Sequence, residues 1–180
     1  HMNGTYDLDG DKMLEFIALE LNPDKDVFPK LVRYYEIDSD GYQSILWEFI
    51  PPVALEGEFV DAKIGDIDGN GAPELVVVMN LTKFGNNSTP HVFIATYDWD
   101  GTHFSEIPSA SLDIGKENRS LRCNNFELLD HDSDGEQEIV LSLGSPFRGF
   151  AIVNSSAEGL SITKKIRPDK LLVGSGLLYI

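Results

Sequence analysis

An all-β fold made of three repeats is the architecture this sequence predicts, and three observations predict it. A nine-residue acidic motif occurs three times, each copy runs directly into an apolar, strand-like stretch, and the intervening segments are short β-type runs separated by turn residues. The clearest copy is Asp66-Ile67-Asp68-Gly69-Asn70-Gly71-Ala72-Pro73-Glu74, followed by Leu75-Val76-Val77-Val78-Met79. The others are Asp7-Leu8-Asp9-Gly10-Asp11-Lys12-Met13-Leu14-Glu15 before Phe16-Ile17-Ala18-Leu19, and Asp130-His131-Asp132-Ser133-Asp134-Gly135-Glu136-Gln137-Glu138 before Ile139-Val140-Leu141. Their first aspartates, at 7, 66 and 130, are 59 and then 64 residues apart. Self-similarity at a near-constant period marks a repeat architecture.

The motif has a chemical logic. Side chains bearing oxygen stand at positions one, three, five and nine, and glycines at four and six allow a tight bend that a Cβ would hinder. A hard cation such as Ca²⁺ takes about six to eight oxygen ligands. A loop that curls back and points alternate side chains inward can supply most of them, with the carbonyl of Ala72 as one more. The candidate ligands are thus Asp7, Asp9, Asp11 and Glu15 in loop one, Asp66, Asp68, Asn70 and Glu74 in loop two, and Asp130, Asp132, Asp134 and Glu138 in loop three. Loop one keeps only the position-four glycine and loop three only the position-six one. An EF-hand would require Glu at position twelve and flanking helices. Position twelve is Ala18, Val77 and Leu141, so that reading fails three times. Mg²⁺ retains more water and takes fewer protein carboxylates, which favours Ca²⁺.

The elements follow in order. His1-Met2 reads as a tag remnant, set apart from residues 3–180. Residues 13–21 follow the first loop and read as a strand by their place in the repeat. Residues 22–26 form a turn cluster around Pro23. Residues 31–37 and 43–50 are strands joined by Asp38-Ser39-Asp40-Gly41, whose glycine supplies the positive φ of a hairpin. Residues 58–64 lead into loop two. The plan repeats with strands at 74–81 and 91–97, a hairpin tip at Asp98-Trp99-Asp100-Gly101, a return at 102–107, and a lead-in strand at 122–129. It repeats again with strands at 138–143, 149–153 and 160–166, a turn at 154–159, and a strand at 177–180. No segment longer than about three turns carries a helical 3.6-residue period.

Bulk properties exclude several functions. The net charge of −16 includes twelve of the 30 acidic residues in the three loops. Such a surface repels nucleic acid and anionic lipid. No run of about 18 apolar residues is present, so no membrane insertion is expected. The single cysteine, Cys123, is expected to be a small buried hydrophobe. His91, His103 and His131 lack zinc-site spacing, and His131 falls at an outward position of its loop. Ser145 and Ser175 lack a nucleophile-elbow pattern, and no phosphate-cradling loop occurs. Trp47 and Phe49 share strand parity and read as core, while Trp99 either stacks on a sugar or packs on a neighbouring sheet.

The motif Asp-x-Asp-Gly-Asn-Gly-x-x-Glu-Leu-Val-Val, at a period near 60, resembles the FG-GAP/VCBS-type repeats of β-propellers, among them the integrin α-chain head and many secreted bacterial proteins. The resemblance covers essentially the whole chain, as units of about 3–64, 65–128 and 129–180. It implies a β-propeller-type segment of three consecutive four-stranded antiparallel blades, with up to three Ca²⁺ ions in the loops. The backbone carbonyls of Met13, Ala72 and Glu136 would complete the ligand sets. Position nine is Glu where the family commonly has Asp, Lys12 sets a cation beside loop one, and no full Phe-Gly…Gly-Ala-Pro signature follows the loops. Closed propellers need about four to eight blades. The expectation is therefore a partial propeller or a ring completed by oligomerisation. The first loop reads as lacking its lead-in strand and the last strand as lacking its loop, so two chains could close a six-bladed ring head to tail. The resemblance implies a calcium-stabilised scaffold, extracellular, cell-surface or periplasmic, that binds a protein or glycan. Part of a secreted carbohydrate-active hydrolase or lyase, or a calcium-dependent lectin, are the alternatives.

Overall fold

The computed structural model describes residues 2–21, 30–50, 55–84, 91–107, 122–144 and 148–167. Twelve strands build three four-stranded antiparallel sheets in it. Sheet one holds β1 (Met2–Tyr6), β2 (Leu14–Leu21), β3 (Lys30–Ile37) and β4 (Gln43–Phe49), in that order. Sheet two holds β5 (Leu55–Gly65), β6 (Glu74–Phe84), β7 (His91–Trp99) and β8 (Phe104–Glu106). Sheet three holds β9 (Cys123–Leu129), β10 (Glu138–Leu143), β11 (Gly149–Asn154) and β12 (Ser161–Ile166). No helix occurs among the described residues, so none is long and apolar enough to cross a membrane.

The all-β expectation holds, and the 13–21 stretch forms a strand over Leu14–Leu21. Two readings are corrected. Loop one does have a lead-in strand: β1 pairs with β2, Met2 opposite Ala18, and the Met2 set aside as a tag remnant opens it. The five residues Met2–Tyr6 are enough to pair as an edge strand. Trp99 is the last residue of β7, opposite Phe104, rather than a hairpin tip. The turn there is two residues later, closed by Asp100 Oδ1, which accepts the N–H groups of Thr102 and His103 at 2.9 Å each. The first hairpin is as expected, with Gly41 at φ 82° and its N–H donating to the Asp38 carbonyl at 3.0 Å. Sheet membership also runs one strand ahead of the repeat units, because β5 and β9 pair with the strands after their loops. The turn at 22–26, Ser145, Ser175, the side chain of His91 and the strand at 177–180 lie outside the described residues.

The sheets stack face to face with sheet two in the middle, and the parity of β6 shows why. Leu75, Val77, Met79 and Leu81 pack with Ile17, Val32 and Tyr34 of sheet one. Val76 and Val78, on the opposite face, pack with Phe126, Ile139, Leu141 and Val153 of sheet three. A strand buried on both sides must be continuously apolar rather than alternating, which explains the Leu75–Met79 run. Trp47 and Phe49 lie against the first core. Cys123 is buried, its thiol pushed up to about 12 by burial above all.

Polar contacts pin sheet two to sheet three at one end. The Asn80 side chain donates to the Cys123 carbonyl and accepts the Cys123 N–H, both at 2.8 Å. Asn80→Ala is expected to lower stability by about 1–3 kcal/mol, because it strands a backbone donor and acceptor at a partly buried seam. Urea denaturation would check this, and a change below about 0.5 kcal/mol would contradict it.

Candidate metal centres

Each acidic loop joins the first and second strands of a sheet, and the three share one hydrogen-bond plan. The position-one carboxylate accepts the position-six N–H: Lys12 to Asp7 Oδ1 at 3.3 Å, Gly71 to Asp66 Oδ2 at 2.9 Å and Gly135 to Asp130 Oδ2 at 3.1 Å. The position-five oxygen accepts the position-seven N–H: Met13 to Asp11 at 2.7 Å, Ala72 to Asn70 at 2.6 Å and Glu136 to Asp134 at 2.9 Å. The position-nine glutamate, 1% exposed in every loop, accepts the position-two N–H: Leu8 to Glu15 at 2.8 Å, Ile67 to Glu74 at 2.8 Å and His131 to Glu138 at 2.9 Å.

Backbone conformation follows the same plan. Positions four and six are left-handed in all three loops, including the non-glycine residues Ser133 at φ 67° and Lys12 at φ 71°. A side chain in that region costs about 1–2 kcal/mol. Ser133→Gly is therefore expected to raise stability by roughly 0.5–1 kcal/mol after the added chain entropy of glycine is offset. A shifted urea midpoint at unchanged slope would show it, and a loss of stability would mean that the Ser133 hydroxyl matters more than its φ.

This plan gathers the expected oxygens. One carboxylate oxygen from each of Asp7, Asp9, Asp11 and Glu15 lies within 4.8 Å of the others, as do those of Asp66, Asp68 and Glu74, and those of Asp130, Asp132 and Asp134. Asn70 sits in loop two with its amide donating to Asp68 Oδ2 at 2.9 Å. Met13, Ala72 and Glu136 are partly buried where each loop turns back to its strand.

Two observations test whether these residues suit a hard cation. Glu15 Oε1 and Asp66 Oδ1 are enclosed without any hydrogen-bond donor. A buried acceptor left unpaired costs about 1–3 kcal/mol, more when charged. Carboxylates also face one another across strands, Glu15 opposite Glu36 and Glu74 opposite Asp98. Like charges so placed are destabilising. Burial, and then Asp68, Asp66 and Asp98, push the Glu74 carboxyl up to about 7 against the pull of the Ile67 N–H. Burial also raises Glu15, against the Leu8 N–H and the Tyr34 hydroxyl, which donates at 3.1 Å. An all-oxygen set with unsatisfied negative charge fits a hard divalent ion.

Loop three departs from the others. Glu138 groups with His131 and Asp132 rather than with Asp130 and Asp134. The His131 ring lies with Nδ1 2.7 Å from Glu138 Oε2, and the Asn154 amide donates to Oε1 at 3.2 Å. Burial pushes the Glu138 carboxyl up, but the His131 N–H and ring outweigh it and hold it below its usual range. His131 is exposed, in line with the outward placement expected for it, yet its ring reaches back to Glu138. Position two is apolar in the other loops, where Leu8 and Ile67 pack into the cores between sheets. The bond from position two to position nine places any side chain at position two beside the glutamate, and that was the available signal.

Other candidates are already occupied. Trp99 packs on Tyr34 of sheet one at 5.7 Å and on Phe104 at 5.0 Å, the neighbouring-sheet alternative rather than a sugar platform. His103 is tied to Asp100 at 2.9 Å. A polar cleft of about 300 Å³ lies by Glu58, Phe59, Asn80, Arg122 and Asn124, but Asn80 is committed to Cys123 and Arg122 pairs with Glu58 at 3.2 Å.

No protein-family model matches the chain, and no solved structure matches it. Among curated proteins the chain is similar to rhamnogalacturonan endolyase YesW of Bacillus subtilis (strain 168), at 30% identity over 106 residues. That stretch is 54% of this chain and 16% of the other, so the chain spans about a sixth of the curated relative it matches.

Proposed function

We propose that this chain is a calcium-stabilised, propeller-type scaffold from a secreted or cell-surface protein, which presents its surface to a protein or glycan. The observation that carries this reading is the pair of enclosed carboxylate oxygens, Glu15 Oε1 and Asp66 Oδ1, which lack any donor inside loops built of further oxygens. Ca²⁺ would be held by Asp7, Asp9, Asp11 and Glu15, and by Asp66, Asp68, Asn70 and Glu74, with loop three as the third candidate. The ion would supply charge neutralisation and rigid ties between strands. Calcium is abundant outside cells, and an ion that binds only the folded chain stabilises it even at a weak site.

Calorimetric titration of EDTA-treated, desalted protein tests this directly. Saturable binding of Ca²⁺, with Mg²⁺ weaker, is the expected result. Absence of binding at millimolar Ca²⁺ would leave the loops as ordinary Asx-rich turns.

A second reading takes its support from the similarity to a rhamnogalacturonan endolyase. On it, the chain is a structural segment of a larger carbohydrate-active lyase. No side chain among the described residues stands out as acid, base or nucleophile, because the carboxylates that cluster do so in the loops. The chain is thus expected to bind rhamnogalacturonan without cleaving it. Affinity electrophoresis in the polysaccharide, alongside an assay of chain cleavage, would separate the two, and turnover by this chain would refute the scaffold role.

A further inference from the structure

The step from one sheet to the next is repeated, and it leaves two complementary ends. Sheets two and three each turn one rung of their second and third strands toward the sheet before. These rungs are Leu75 opposite Tyr97 and Ile139 opposite Val153, all four buried at a seam. The corresponding rung of sheet one, Phe16 opposite Tyr35, faces away from the stack and forms a small cluster of its own with Ala18 and Ile37. Sheets one and two each turn an alternate rung toward the sheet after, Leu19 opposite Val32 and Val78 opposite Ile94. The corresponding rung of sheet three is Ser142 opposite Phe150, and it too faces away. The rims of the two end faces follow the same rule. Ile45 stands opposite Tyr35 as Ile162 stands opposite Val153, but Ile162 packs on the core between sheets two and three. Leu14 holds the place in its loop that Gln137 holds in loop three, and Leu129 precedes its loop as Gly65 precedes loop two. Gly65 and Gln137 press together across the inner seam. Their counterparts at the ends do not: Leu14, Ile45, Leu129, Phe150 and Ile166 are between 38% and 55% exposed.

We propose that the outer face of sheet three receives the outer face of sheet one of a second copy, so that the protein associates head to tail by the step its own sheets already make. Leu14 of one copy meets Leu129 of the other, and Phe16 and Ile45 meet Phe150 and Ile166. The occupant is a second copy because each end carries the counterpart of what the other end lacks, which is a heterologous pairing rather than a two-fold one. Charge agrees with it. Glu20 and Glu48 flank Arg33 on the outer face of sheet one, while β12 sets Lys164 opposite Ile152 on that of sheet three. Two copies bring six sheets, within the range of about four to eight that closes a propeller. The net charge of −16 opposes contact between copies, so the pairing is expected where salt screens it. The inference rests on how the sheets stack and is independent of the calcium reading.

Sedimentation velocity on the full chain tests this, over about 1–100 μM protein and at salt from about 0.15 M upward. The mass is expected to rise to that of two chains with concentration. Two variants each block one end: Phe150→Asp on sheet three, and Leu14→Asp combined with Ile45→Asp on sheet one. All three positions are exposed, and circular dichroism confirms folding. Each variant alone is expected to stay a single chain. An equal mixture is expected to pair again, more weakly than the unmodified chain, because the first variant keeps an intact sheet one and the second an intact sheet three. A single-chain mass for the unmodified protein at every concentration and salt overturns the proposal. So does pairing by either variant alone, or a mixture no heavier than its components.

Discussion

Glu15→Gln is expected to split the stability of this protein by condition, leaving it unchanged or raised in EDTA and lowered by about 2–3 kcal/mol in excess Ca²⁺. The magnitude follows from linkage: an ion at a hundredfold excess over its dissociation constant, binding only the folded state, adds about 2.7 kcal/mol per site. The sign in EDTA follows from burial. Glu15 is 1% exposed, one of its oxygens has no donor, and it sits among Asp7, Asp9 and Asp11. Glutamine removes a buried, repelled charge while its carbonyl oxygen can still accept the Leu8 N–H. With calcium present, the same change would delete the most enclosed candidate ligand of loop one. Urea denaturation of both proteins at fixed pH, in EDTA and in millimolar Ca²⁺, gives the four free energies. An equal loss in both conditions would make Glu15 a packing residue and nothing more.

Phe126→Ala is expected to cost about 3–5 kcal/mol, whatever the calcium concentration. Phe126 is 1% exposed, lies in the core between sheets two and three, and has the Lys63 ammonium 5.6 Å from its ring centroid. Lys63 also pairs with Glu127 across the same seam at 2.7 Å. Phe150 belongs to the same sheet but is 38% exposed, so Phe150→Ala should cost about 1 kcal/mol or less. The pair of measurements checks the stacking order itself. Comparable losses at the two positions would mean that the buried face of sheet three is not the one facing sheet two.

Much of this was legible in the chain because the governing forces are local. Asp, Asn and Gly at fixed offsets shape a loop through their own hydrogen bonds and φ values, so the three acidic clusters and the strands after them could be read directly. The apolar run Leu75–Met79 also announced a strand, which the structure buries on both faces. Errors arose where a residue's partner lay far away in sequence. Trp99 read as a hairpin tip, with sugar stacking left open beside packing, because Tyr34, 65 positions earlier, cannot be seen from the hairpin. His131 is exposed as read, but its contact with Glu138, only seven residues on, depends on how the loop closes.

The sequence by itself determined an all-β chain with three oxygen-rich loops, since period, turn chemistry and spacing act within about ten residues. Only the tertiary structure decided which lead-in strand joins which sheet, that sheet two is the covered middle layer, and that the Glu136 side chain packs against Gly69 of the neighbouring loop while Glu138 turns to a histidine. Those outcomes depend on register and stacking between segments some 60 residues apart, where pairing energy and shape choose among arrangements that local propensity leaves equal.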